Sequence, residues 1–108
     1  MKKIIIAIFI CSVQVVFAQT DTIKIQTSAV CEMCKETIEH DLSFVKGIVS
    51  SNQDVETKTL QVVFDPAKTN ALQIQKEVTK IGYDADTLKA DPKAFRKLPE
   101  CCKKPHNE

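Results

Sequence analysis

At 108 residues and a formal net charge of +1, with 15 basic against 14 acidic side chains, the chain has room for one small domain and lacks the basic excess of a nucleic-acid binder. It carries no phosphate-cradling loop, no Ser/His/Asp set and no paired carboxylates in an identifiable cleft, so nothing marks it as an enzyme unless its thiols react. Its five cysteines are the conspicuous chemistry, and the order in which they occur organises the rest of the reading.

The first segment reads as a secretory signal. Lys2 and Lys3 precede an apolar run from Ile4 to Ile10, and Val16-Phe17-Ala18 supplies a cleavage site before Gln19. Ser12 and Gln14 interrupt the stretch, which is short for a membrane span, so no permanent membrane anchor is expected. The residues before Cys11 do not resemble a lipoprotein box, and Cys11 leaves with the leader. The expected organisation is a signal peptide at 1–18, one domain at 19–90 and a tail at 91–108. Export, to the periplasm or beyond the cell, places Cys31, Cys34, Cys101 and Cys102 where thiols pair unless they are reduced or metallated.

Ile23, Ile25, Thr27 and Ala29 alternate with Lys24, Gln26 and Ser28, the period-two pattern of a strand with one buried face. From Cys34 onward, Ile38, Leu42 and Val45 recur at helical spacing among Lys35, Glu36, Glu39 and Asp41, and Gly47 is the expected stop. Ile48 and Val49 open a polar second strand suited to a sheet edge. Leu60, Val62 and Phe64 form a third strand that Pro66 ends. Thr69 or Asn70 can cap a second helix with Leu72, Ile74, Val78 and Ile81 on its apolar face and Gly82 at its end. Tyr83 to Leu88 reads as a short fourth strand. The order strand, helix, strand, strand, helix, strand predicts an α+β, ferredoxin-like βαββαβ sandwich, an antiparallel sheet with both helices on one face. Asp91 and Pro92 then start a short C-terminal helix with Ala94, Phe95 and Leu98 as its apolar residues, before the tail cysteines.

Cys31-Glu32-Met33-Cys34 falls where the first strand gives way to the first helix. The free N–H groups and positive dipole end of a helix N-terminus stabilise thiolates, the form that binds metal or attacks disulfides. Two intervening residues let both sulfurs meet one ion. The spacing alone serves equally for redox proteins, half zinc sites and structural disulfides. A thioredoxin-like protein calls for a longer chain, a βαβ start and usually a tryptophan before the motif, whereas Val30 precedes Cys31 and the chain has no tryptophan.

Set on such a sandwich, the motif resembles that of the heavy-metal-associated domain family, which includes copper chaperones, metal-ATPase amino-terminal domains and periplasmic mercury-binding proteins. The resemblance runs from Ile23 to Ala90 and rests on Cys31 and Cys34, on Ile38 and Leu42, on Val45-Lys46-Gly47-Ile48 and on Ile81-Gly82-Tyr83-Asp84-Ala85. It implies reversible binding of a soft ion, Cu(I) or Hg(II), by Cys31 and Cys34, with Tyr83 supporting the site. An exposed two-sulfur site lets an acceptor thiolate enter before the donor bond breaks, so a membrane transporter or efflux component is the expected partner. The chain departs from the family at Ala29, where methionine is common, and at Glu32, whose carboxylate beside the sulfurs attracts cations and admits Zn(II). Cys101, Cys102 and His106 are candidate accessory ligands, with a disulfide as the competing role for the cysteine pair. Met33 is expected to point outward, and His40, among acidic neighbours, to be a surface residue rather than a ligand. The alternatives to a metal carrier are a thiol–disulfide redox protein and a partner-binding module with a structural disulfide.

Overall fold

The alternating and helical runs become β1 (Asp21–Gln26), α1 (Glu32–Leu42), β2 (Ile48–Asp54), β3 (Thr59–Phe64), α2 (Ala71–Ile81) and α3 (Pro92–Arg96), followed by a 3-10 turn at Glu100–Cys102. The computed structural model describes residues 19–102, and the expected signal peptide at 1–18, Cys11 and His106 lie outside the described residues. Among those described, no helix is long and apolar enough to cross a membrane.

β3 occupies the centre of a three-stranded antiparallel sheet in the order β1-β3-β2. Its alternation explains the place: Leu60, Val62 and Phe64 are buried, while Gln61 is exposed. In register, Ile25 faces Leu60 and Ile23 faces Val62, so apolar residues of adjacent strands fall on the same side. β2, the polar run, takes an edge as its composition requires. A register shift between Ile48 and Ser50 leaves Val49 exposed. Cys34, Ile38 and Leu42 of α1 and Ile74 and Val78 of α2 close the core against the apolar side of the sheet. Burying an aliphatic side chain of this size stabilises by about 1.5–3 kcal/mol each. The result is the α+β, ferredoxin-like arrangement expected from the element order.

Three details differ from the pattern read in the sequence. α1 stops at Leu42 rather than running to Gly47: the Ser43 hydroxyl donates to the His40 carbonyl, and Phe44 and Val45 donate to carbonyls only three residues back. Leu72 is exposed, because α2 lays Ile74 and Val78 inward and Leu72 falls outside their stripe. The fourth strand is replaced by a turn in which Ala85 makes isolated bridges to Thr27 and Leu88. Asp86 adopts φ 53°, a left-handed conformation that a short acidic side chain tolerates and an extended strand does not. Its carboxylate accepts from the Gln26 N–H at 2.9 Å, and its own N–H donates to the Gln26 carbonyl at 2.8 Å. One residue therefore covers the end of the β1 edge.

Asn70 caps α2, its side chain accepting from the Gln73 N–H at 2.9 Å. Gly82 ends the helix at φ 121° and lets the tail approach. A Cβ there would lie 3.1 Å from the Ala94 backbone carbon and oxygen and 3.2 Å from Leu98 Cδ1. The Asp91 N–H donates to the Thr79 carbonyl at 2.9 Å and Leu98 is buried, so α3 is docked on α2 and the 3-10 turn is delivered to α1.

Candidate metal centre

Cys31 is the N-cap residue of α1, with extended backbone, and its carbonyl already accepts the Lys35 N–H. Its side chain makes no capping bond, so the sulfur is turned to other partners. Cys34 lies in the first turn, fully buried, and its sulfur stands 3.1 Å from that of Cys31. The short loop before them is pinned on both sides. Ala29, fully buried, donates its N–H to Thr27 Oγ1 at 3.3 Å, and Ser28 Oγ accepts the Asp84 N–H at 2.9 Å.

The tail brings its cysteines to the same point. Cys101 Sγ lies 3.0 Å from Cys31 Sγ, Cys102 Sγ lies 3.7 Å from Cys31 Sγ, and the two tail sulfurs are 3.9 Å apart. Cys34 and Cys102 are joined sulfur to sulfur, with Cα atoms 5.9 Å apart, inside the usual span of a disulfide. Cys31, Cys101 and Cys102 present their sulfurs within 4.8 Å of one another, a grouping suited to one ion. Burial grades across the cluster: Cys34 and Cys102 are buried, Cys31 and Cys101 half-buried. Ligands can thus be held from below while one side faces solvent.

Of the other residues singled out in the sequence, Tyr83 is fully buried. Burial pushes its hydroxyl, which has no hydrogen-bond partner among the described residues, above the ordinary value of 10.0, and negative charge at Cys31, then Cys101, then Asp41 adds to the rise. It belongs to the same buried core as Cys34 and Cys102, against which Cys31 and Cys101 pack. Above pH 10 an unfolded chain gives up this proton and the folded chain keeps it, so folding stability falls as pH rises past that value. Because the chain has one tyrosine, absorbance at 295 nm reads it directly. Tyrosinate is expected to appear well above pH 10 and together with unfolding; a native titration near 10 would show the hydroxyl to be solvated.

Glu32 is exposed in the first turn of α1, where a carboxylate complements the helix dipole, and it is not part of the sulfur grouping. Met33 is 49% exposed and faces away from the core. His40 is exposed beside Asp41, Nδ1 to Oδ1 3.1 Å, and its ring meets Phe44 edge-on. The burial of Cys34 was not evident from the motif, although its spacing of four from Ile38 and eight from Leu42 puts it on the same helical stripe.

The chain matches the family described as "Heavy-metal-associated domain" over residues 27–84. It is similar to the "Mercuric transport protein periplasmic component" of Acinetobacter calcoaceticus, 32% identical over 85 residues that span 77% of this chain and 93% of that one. It is 36% identical over 61 residues to a "Copper-exporting P-type ATPase" of Bacillus subtilis (strain 168), 56% of this chain but only 8% of that much longer protein. Among solved structures, oxidized MerP from Ralstonia metallidurans CH34 superposes with a TM-score of 0.59 at 28% identity, covering 63% of this chain and 96% of that one.

Proposed function

Because the chain belongs to the heavy-metal-associated domain family, a metal-binding and transport family rather than an enzyme family, we propose that it captures Cu(I) or Hg(II) with Cys31 and Cys34 and passes the ion to a transport or detoxification partner. The observation that carries this reading is the convergence of the two sulfurs, 3.1 Å apart, at the N-terminus of α1. Two thiolates satisfy a soft ion that accepts low coordination, and the half-buried Cys31 gives an acceptor's thiolate a point of entry. The mercury and copper transport relatives support the same pair of ions. Zn(II) is a third candidate, with Glu32 close in sequence to supply an oxygen. The chain works outside the cytoplasm, in the periplasm, after cleavage following Ala18; intact mass of the protein from that compartment is expected to begin at Gln19, and a mass including residues 1–18 would contradict export by a cleaved signal.

A second reading, thiol–disulfide exchange, draws on the Cys34–Cys102 link with the Cys31 sulfur 3.1 Å from Cys34, a position from which a thiolate attacks. The two readings part under one pair of assays. The reduced chain, titrated anaerobically with Cu(I), is expected to saturate at a fixed stoichiometry and to show no turnover in a metal-free disulfide reductase assay. Catalytic turnover without saturable metal uptake would transfer the assignment to redox chemistry.

A further inference from the structure

We propose that Cys101 and Cys102 are a second pair of ligands, so that the reduced chain closes Cys31, Cys34, Cys101 and Cys102 around one ion and accepts tetrahedral Zn(II) as well as low-coordinate ions. This rests on Cys31 and Cys34 being the metal-binding pair, and adds to it a ligand count, a class of cargo and a lid.

Geometry is the first support. A tetrahedral Zn(II) with Zn–S bonds of about 2.3 Å holds its sulfurs about 3.8 Å apart. The separations from Cys31 to Cys34, Cys101 and Cys102 are 3.1, 3.0 and 3.7 Å, and the tail pair is 3.9 Å apart. These four separations need to change by less than about 1 Å to fit a four-thiolate cage. Closing it also requires reduction to part the bonded Cys34 and Cys102 sulfurs and Cys34 to join the grouping of Cys31, Cys101 and Cys102. Adjacent cysteines on an extended tail would point apart; here the 3-10 turn, closed by the Cys102 N–H donating to the Pro99 carbonyl at 2.9 Å, brings both sulfurs to Cys31.

The second support is that the tail is positioned by contacts other than sulfur. Leu98 is buried against the Cβ-free face of Gly82, and the Asp91 N–H is bonded to the Thr79 carbonyl of α2. The second pair is thus held at the site in advance, at an effective concentration of about millimolar or more, enough to compete with small thiols for the open positions of a two-sulfur complex. The four-sulfur form retains the ion; withdrawal of the tail restores the open form that an acceptor can attack. Joining Cys34 to Cys102 removes a ligand from each pair, so the oxidised chain cannot hold the ion in this way.

X-ray absorption at the zinc edge tests this on the reduced chain loaded anaerobically with one equivalent of Zn(II). Four sulfurs at about 2.3 Å are expected. In Cys101→Ser/Cys102→Ser the shell is expected to fall to two sulfurs plus two lighter atoms, with Zn(II) affinity down at least about a hundredfold, while Cu(I) stays bound. Two sulfurs plus two lighter atoms in the unaltered chain overturns the proposal and leaves the Cys31/Cys34 assignment standing. Failure of the unaltered chain to bind either Zn(II) or Cu(I) overturns both. The zinc shell of the unaltered chain decides between these outcomes even where the double variant does not fold.

Discussion

Cys31→Ser is expected to weaken Cu(I) binding by at least about a thousandfold, roughly 4 kcal/mol, while leaving the fold as stable as before or up to about 1 kcal/mol more stable. The two halves of this result have separate causes. A serine hydroxyl is a neutral, hard ligand that a soft ion binds poorly, so the loss of one of two thiolates removes the site. At the helix, however, Cys31 occupies the N-cap without making a side-chain capping bond, and serine is among the best residues for that position. A residue that caps less well than its replacement contributes through its chemistry. Competition with a Cu(I)-specific chelator measures the first half and urea denaturation of the reduced apo chain the second. Retained affinity would remove Cys31 from the site; lost affinity accompanied by lost stability would make its role structural.

Gly82→Ala is expected to destabilise the chain by about 2–4 kcal/mol and to detach the tail from the cluster. The backbone at φ 121° is strained for any residue with a Cβ, and the added methyl would press on the Ala94 backbone at 3.1 Å and on Leu98 at 3.2 Å. Relief comes most readily by moving α3, none of whose own residues is buried, and with it Leu98 and Cys102, the tail's contribution to the core. The expected signature, measured on the reduced chain, is a lower urea midpoint together with faster alkylation of Cys101 and Cys102. An unchanged midpoint and unchanged alkylation would show that α3 does not depend on the close approach at Gly82.

What the sequence made legible was local. Leu60, Val62 and Phe64 announced a half-buried strand, and Asn70 and Gly82 bracketed α2, because each signal lies within one element and its physical cause is a cap, a stop or a buried face. The same local logic failed where a nearby competitor was stronger. Val45 keeps helical spacing from Leu42, yet the Ser43 hydroxyl and three-residue hydrogen bonds end α1 first. Ala85, Thr87 and Lys89 alternate with their neighbours, yet Asp86 turns left-handed and bonds to Gln26 instead of extending the sheet. Leu72 shows that an apolar residue in a helix is not thereby on its inner face.

The sulfur cluster shows the limit more sharply. Cys31 and Cys34 could be read together because three positions separate them at a helix start. Cys34 and Cys102 are 68 positions apart in sequence, and their meeting depends on Leu98 finding Gly82. No periodicity in the tail encodes that contact. The cluster is a tertiary product of a glycine, a leucine and a 3-10 turn, and the family resemblance, which ends before the tail, does not supply it.

The most direct test of a Cys31/Cys34 metal carrier is native mass spectrometry of the reduced chain, titrated anaerobically with Cu(I) and Hg(II) beside Cys31→Ser/Cys34→Ser. One tightly held ion per chain, lost in the double variant, is the expected result. Uptake that persists in the double variant, or no specific uptake in the unaltered chain, would contradict it.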